Sequence, residues 1–385
     1  MANFTNVMKP FIKWPGGKSK ELSIILNNLP NRIEKYYEPF IGGGAVYLGL
    51  DEFRHYFIND KSDELISLYQ AIKNQDETFF NAIKEIDKCW KILEDVIEKH
   101  IEVFANIYDN YKTHTIDNHE LSKFVEVFII ANSNEFSGIF NEKLILDGER
   151  ILKNLYQSVS RKLIRMKVIE AKKGELSIED IKMNIETGFK GGLYTHFRFL
   201  YNNSERLKIG KSMKIALFYF IREYCYSSMF RYNKSGGFNV PYGGMSYNRK
   251  YLTRKIEIME GPQIIERLNK TEISSFDFED FLNINTPGSN DFIFLDPPYD
   301  TSFSTYANNT FNLSCHVRLS EFCKKTKANF MLVIKNTDFI HDLYKDFNIK
   351  SFDKKYLVSF QNRNDKNVEH LLITNYNLED KKHAY

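Results

Sequence analysis

Apolar residues recur along this chain in two different patterns, and the change between them divides it. Over residues 76–212 they return every three or four positions, most clearly at Phe80, Ile83, Ile86, Trp90, Leu93 and Ile97. Leu121–Ala131 and Ile151–Val168 repeat that spacing, which lines one face of a helix. Elsewhere the apolar residues form short runs. Phe292–Leu295, Phe330–Ile334 and His370–Thr374 have the length and continuity of strands covered on both faces. Tyr56–Asp60 reads as a further short strand that ends in an acid, and the polar, basic segment Tyr201–Ser212 reads as a loop. No internal repeat or low-complexity linker intervenes. The simplest architecture is an α/β domain formed by residues 1–75 and 255–385, interrupted by a mostly helical insert over residues 76–254.

The run Phe292–Leu295 stops at Asp296-Pro297-Pro298-Tyr299. Proline has no N–H to give to a ladder, so the pair ends the strand on a stiff turn. Asp296 and Tyr299 are then held at the strand's C-terminal edge, where open α/β sheets bind ligands. An acid, two prolines and an aromatic at that place suit a flat, amine-bearing group. Taken alone, they equally make an ordinary turn.

Two glycine-bearing segments near the N-terminus shift that balance. Phe11-Ile-Lys13-Trp14-Pro15-Gly16-Gly17-Lys18 is a basic, aromatic loop leading into a helix expected from about Ser19. Its glycines let backbone amides approach an anionic group, and Lys18 can add a charge-assisted hydrogen bond. Glu38-Pro39-Phe40 then runs into Gly42-Gly43-Gly44, a glycine turn between a strand and a helix, which is a general nucleotide-binding device. The spacing is not GxGxxG, and no Walker Lys-Ser/Thr follows. Asp60 lies 16 residues past Gly44, near the distance at which an acid reaches ribose hydroxyls in such folds. In this order the signals suggest an adenosine-bearing ligand.

Composition adds mainly exclusions. Aromatics make up 15% of the 385 residues, enough for a large core, and the formal charge of +3 neither requires nor excludes a nucleic acid. The four cysteines form no CxxC pair and the nine histidines show no ligand spacing, so neither a metal site nor a disulfide framework is expected. No signal-peptide core is present, and no apolar stretch approaches the ~18 residues that span a membrane. A soluble, cytoplasmic protein without a membrane partner is expected.

Four segments, in order, resemble the Dam-like (D12 class, class α) DNA adenine-N6 methyltransferases. Phe11–Lys18 is similar to the family's N-terminal cofactor motif, Glu38–Gly44 to its glycine loop, and Asp296–Tyr299 to its catalytic DPPY. Met229-Phe-Arg231-Tyr-Asn233-Lys234-Ser-Gly-Gly-Phe-Asn239-Val-Pro-Tyr242-Gly resembles its DNA-reading hairpin. Ser275-Phe-Asp277-Phe278-Glu279 fits the segment beside the cofactor's adenine, and Val333–Lys335 leading to Asn336 fits a later motif at the target pocket. Residues 80–210 lie outside the resemblance.

The resemblance implies a Rossmann-like, S-adenosylmethionine-dependent methyltransferase domain whose insert is a target-recognition domain carrying a β-hairpin. It implies that Trp14, Gly17, Lys18, Glu38, Pro39, Phe40, Gly42, Gly44, Asp60, Asp277, Phe278 and Asp296 hold the cofactor. Asp296, Pro297, Pro298 and Tyr299 are then catalytic, with no metal. Lys13, Met229, Arg231, Asn233, Lys234, Asn239 and Tyr242 are expected on double-stranded DNA, with Asn233 and Asn239 either reading base edges or bracing the turn. The polar segment Gln361–Lys366 is either a further DNA contact or a solvated turn. Because N6 is unreachable inside a duplex, the base must be flipped out. A monomer or weak dimer is expected, with a cognate restriction endonuclease as a partner. Cytosine N4 remains an alternative target, since the same amine chemistry applies there, and a non-catalytic DNA-binding relative is the alternative from another class.

Overall fold

The computed structural model describes residues 8–50, 53–138, 140, 144, 146–299, 311–355 and 367–378; Gln361–Lys366 lies outside them. The chain divides into two compact units, Met1–Asn74 with Met259–Tyr385, and Gln75–Ile258.

Among the described residues the first unit is built on seven strands: β1 Lys35–Glu38, β2 His55–Asn59, β3 Thr271–Ser274, β4 Phe292–Leu295, β5 Asn329–Lys335, β6 Asn348–Lys355 and β7 Asn367–Thr374. Their order is β3-β2-β1-β4-β5-β7-β6. All neighbouring pairs are parallel except those of β7, which runs antiparallel to both β5 and β6. The order reverses between β1 and β4, and the crevice beyond the carboxyl ends of those two strands is the topological switch point.

The residues of β4 are all buried, as are the five central residues of β5, because helices cover the sheet on both sides. On one face Tyr37, Ile293, Leu295, Phe330, Leu332, Ile334 and Ile373 pack against Phe281, Leu319, Ile340 and Tyr344. These four come from the helices Phe278–Asn285, Leu313–Lys325 and Asp338–Tyr344. Each fully buried side chain of this kind contributes on the order of 1.5–3 kcal/mol. The opposite face is aromatic: the Tyr36 ring lies 6.2 Å from Tyr56 and 6.1 Å from Phe292, and Tyr47 lies 5.4 Å from Tyr56. Arg267 closes that side by donating to the carbonyls of Tyr47 and Leu50.

The second unit is helical. Its main helices are Glu77–Lys112, Asn118–Ala131, Gly148–Lys173, Ile178–Asn202 and Lys211–Tyr224. Side chains at four of their N-termini take up backbone N–H groups that would otherwise be orphaned: Asp76, Asp117, Asp147 and Ser177. Asp117 and Glu120 form a reciprocal capping box. The apolar positions Phe80 through Ile97 all face inward. Gly192 lets two helices touch at backbone distance, since a Cβ there would meet Asn154 O and Leu155 Cα at 2.8 Å. Among the described residues no helix is long and apolar enough to cross a membrane.

Two boundaries differ from the sequence reading. The helix expected from Ser19 begins at Leu22, because Lys18 first closes a turn onto the Glu21 N–H and sends its own side chain inward. The expected loop Tyr201–Ser212 is shorter. Its ends are absorbed into helices that finish at Asn202 and restart at Lys211, with the Asn203 N–H capping back onto the Phe199 carbonyl.

Candidate functional site

Asp296 follows β4 directly, so it stands at the switch point beside the loop that leaves β1. Its carboxylate Oδ1 accepts from the Lys18 ammonium, which also donates to the Gly16 carbonyl at 2.9 Å. Lys18 is only 2% exposed, so this is an ion pair held largely out of water. Pro297 is buried, Pro298 exposed and Tyr299 half-buried. The Tyr299 hydroxyl lies 3.3 Å from His370 Nε2, and the Lys18 Nζ lies 5.7 Å from the Tyr299 ring centroid. One cation therefore links the N-terminal loop to both the acid and the aromatic of the Asp-Pro-Pro-Tyr turn.

The loop after β1 approaches from the adjacent strand. Glu38 is buried and accepts from the Tyr36 hydroxyl at 2.6 Å, and burial raises its carboxyl well above the usual range. Gly42 and Gly44 adopt left-handed backbones at φ +47° and +69°. A side chain on either would collide: a Gly42 Cβ would lie 2.7 Å from the Trp14 ring, and a Gly44 Cβ 2.5 Å from the Tyr69 hydroxyl. Trp14 thus packs on the glycine loop, joining two segments that are distant in sequence. Pro39 is buried and Phe40 half-buried, Gly17 is exposed, and Lys13 is half-buried beside Trp14.

At the end of β2, Asp60 accepts from the Gly42 and Ser62 N–H groups, each at 3.0 Å. Burial nevertheless pushes its pKa up to about 6. The preceding residue, Asn59, was not anticipated. It is buried, donates to the Pro39 and Phe276 carbonyls, and accepts from the Phe276 N–H and the Ser274 hydroxyl. This clip holds the segment after β3 against the glycine loop. Within that segment Asp277 caps the helix Phe278–Asn285 and pairs with Arg318. Phe278 is buried, its ring 5.6 Å from Phe40 and 5.7 Å from Phe311. The aromatic ring left at the surface is Phe276, 47% exposed. At the end of β5, Asn336 is tied to Glu369 of β7.

In the second unit the expected hairpin is present as a tight loop with bridges Tyr232↔Phe238 and Cys225↔Tyr242. Asn233 braces its turn: its side-chain oxygen accepts from the Ser235 and Gly237 N–H groups. Arg231 is exposed, and its guanidinium donates to the Asn239 carbonyl at 2.6 Å and to Asn239 Oδ1 at 3.2 Å. Lys234 is exposed and Met229 half-buried. Tyr242 is half-buried in an aromatic cluster. Its ring lies 5.6 Å from Trp90 and 5.8 Å from Tyr194, and its hydroxyl donates to Asn248. Burial raises its pKa.

Arg222 carries the base of the hairpin and had no signal in the sequence. It is fully buried, donates to the Met229 and Ser228 carbonyls, and lies 3.6 Å over the Phe230 ring. Those bonds hold Ser227 and Ser228 at φ +50° and +53°, a conformation disfavoured for residues with a Cβ. Tyr226, directly before them, is 46% exposed. Arg222→Met is expected to lower unfolding stability by about 3 kcal/mol in urea titrations, because two carbonyls lose their donor. Unchanged stability would show that the serine turn stands without it.

The strand order, with an acid–Pro–Pro–Tyr turn at its reversal, fits a methyltransferase. The sequence of the D12 class N6 adenine-specific DNA methyltransferases matches residues 14–120 and 106–358; the chain belongs to that family and is an adenine-specific DNA methyltransferase. It is 27% identical over 373 residues to the type II methyltransferase M.CviBI of Paramecium bursaria Chlorella virus NC1A, covering 96% of this chain and 100% of that protein. A type II methyltransferase of Methanocaldococcus jannaschii, M.MjaIII, is likewise 27% identical over 388 residues, covering 96% and 99%. The DNA adenine methylase of Vibrio cholerae is 22% identical over 340 residues, covering 86% of this chain and 83% of its own length.

Proposed function

We propose that the chain transfers a methyl group from S-adenosylmethionine to N6 of an adenine flipped out of duplex DNA, at a sequence read by the hairpin. The observation that carries this reading is Asp296-Pro297 at the switch point, fixed by Lys18 and faced by the glycine loop. The residues there suit the cofactor. Asp60 and Asp296 supply carboxylates, and the buried Glu38 a neutral carboxyl group, for a ligand bearing a sulfonium, an ammonium and a ribose diol, while Phe40 and the exposed Phe276 offer apolar faces to a purine. When bound, S-adenosylmethionine supplies an electrophilic methyl group for direct displacement.

The protein's part is to make a poor nucleophile react. The N6 lone pair is delocalised into the adenine ring, so the nitrogen attacks only when that conjugation is loosened. The Asp296 carboxylate accepts one N6–H and the Pro297 carbonyl, whose residue has no competing N–H, accepts the other. Tyr299 stacks on the base, and its hydroxyl, beside His370 Nε2, keeps the ring in place. Trp14 and Lys18 serve the amino-acid end of the cofactor and Asp60 the ribose. The Asn59 clip and Asp277 position the adenine-side segment.

The second unit is the target-recognition domain. Arg231 reads guanine O6 and N7 with its fork, oriented by Asn239. Lys234 meets phosphate, and Met229 sits beside the vacated base. The type II relatives support a role alongside a restriction endonuclease.

Methyl incorporation into duplex DNA, followed by mass spectrometry of the nucleosides, tests the reading. N6-methyladenine is expected; N4-methylcytosine or no product would overturn it. A second outcome follows from Asp60. The ionised carboxylate is the better acceptor for ribose hydroxyls, and below its pKa of about 6 the proton must first be removed. Cofactor affinity is therefore expected to fall as pH drops through about 6. Calorimetric titration with S-adenosylhomocysteine between about pH 5 and pH 8 checks this, and Asp60→Asn should lose the step.

A further inference from the structure

The helix Gly148–Lys173 carries eight lysines and arginines against two glutamates, in a chain whose whole formal charge is +3. Its buried face is formed by Ile151, Leu155, Val159, Leu163 and Met166. At 100° per residue, the opposite face carries Arg150, Lys153, Gln157, Arg161, Arg165 and Lys172, all exposed. Arg150 pairs with Asp147. Among the described residues, Lys153, Arg161, Arg165 and Lys172 have no carboxylate partner. A helix face that serves only solvation interleaves acids four residues from its bases. Here only Glu149, four residues before Lys153, fits that pattern, while Arg161 and Arg165 set like charges four apart, which weakens the helix itself.

The stripe has the reach of a duplex segment. From Arg150 to Lys172 it runs about 33 Å at 1.5 Å per residue, the length of roughly ten base pairs at 3.4 Å each. It is also continuous with the hairpin. The Arg150 guanidinium lies 3.9 Å over the Phe199 ring, and Arg206 lies 5.7 Å over the same ring. The adjacent Arg198 donates to the Val240 carbonyl of the hairpin at 2.8 Å, and Asn202 grips Phe238 with two backbone hydrogen bonds. One end of the stripe thus abuts the part of the helix Ile178–Asn202 that holds the hairpin.

We propose that this stripe is a second DNA contact of the enzyme, binding the phosphates of duplex that flanks the target site and setting affinity without reading sequence. The inference rests on the hairpin being the base-reading element. Lysines and arginines spread along a helix meet phosphates as point charges and forks, and among the described residues none of the groups on this face is committed to a carboxylate other than Asp147.

The test compares two duplexes by fluorescence anisotropy, one confined to the target site and one extended by about ten base pairs on each side. The wild-type protein should bind the longer duplex on the order of tenfold more tightly, with a steeper salt dependence. The variant Lys153→Gln/Arg161→Gln/Arg165→Gln/Lys172→Gln should lose that gain, and its slope of log affinity against log salt should fall by about 3 to 4, near 0.9 per contact. The swap Lys153→Arg/Arg161→Lys/Arg165→Lys/Lys172→Arg, which keeps the charges, should restore both. An undiminished length gain in the glutamine variant overturns the proposal. Failure of the hairpin reading looks different: Arg231→Ala would then leave the methylated sequence unchanged, whatever the stripe does.

Discussion

Asp296→Ala is expected to lower the rate of methyl transfer by on the order of a thousandfold or more, the range lost when a positioned acceptor or donor is removed from a reacting centre. DNA affinity should change by only a few-fold, because the lost contact acts on N6 as its geometry changes. The same substitution also strands Lys18, which is 2% exposed and paired with this carboxylate. A buried cation left without its partner costs about 3 kcal/mol, so the single variant should also be less stable. Lys18→Met in the same chain removes the orphaned charge, and the double variant should regain most of that stability while remaining inactive. Single-turnover methyl transfer and urea unfolding, measured on both variants, separate the two effects. A folded Asp296→Ala enzyme turning over within about tenfold of the wild type would sink the mechanism.

The fold was legible where burial is complete. Phe292–Leu295 could be read as a strand because all four residues are covered, and Phe80 through Ile97 as a helix because only one face is. The proline pair placed Asp296 at a strand's C-terminal edge, but that this edge is the switch point depends on the pairing of β1 with β4, which no local pattern marks. What stayed hidden depends on partners far away in the chain. The pairing of Lys18 with Asp296 spans 278 positions and was not foreseen beside the expected contact with a ligand. His370 meets Tyr299 across 71 positions, and no local pattern marks either contact. Asn59 does sit next to an anticipated acid, and a polar residue ending a strand otherwise buried at Tyr56 and Ile58 was a usable sign. Asp277 was readable as a helix cap from the acids Glu279 and Asp280 behind it. That cap turns Phe278 into the core and leaves Phe276 outside. The aromatic packing of Tyr242 stayed hidden because its partner rings, Trp90 and Tyr194, come from two helices of the insert, where no motif was available to guide the reading.

The hairpin makes the sharpest prediction about DNA. Arg231 and Lys234 are both exposed cations three residues apart, so charge alone would give them the same task. Their surroundings differ. The Arg231 guanidinium is held by the carbonyl and the side-chain oxygen of Asn239, which orients a planar fork. Lys234 sits at the turn that Asn233 braces, where a flexible ammonium can follow a phosphate. Arg231→Ala should therefore lose about 1–3 kcal/mol of discrimination, about fivefold to about 150-fold, at a single guanine position. Arg231→Lys should not restore it, since an ammonium lacks the two parallel donors. Lys234→Ala should weaken binding alike on every sequence and lower the salt slope by about 0.9. Methylation profiling over a library of single-base target variants, with binding measured at several salt concentrations, distinguishes the two. If both alanine variants relaxed the same position, or neither did, the division between base reading and phosphate contact within this hairpin would be wrong.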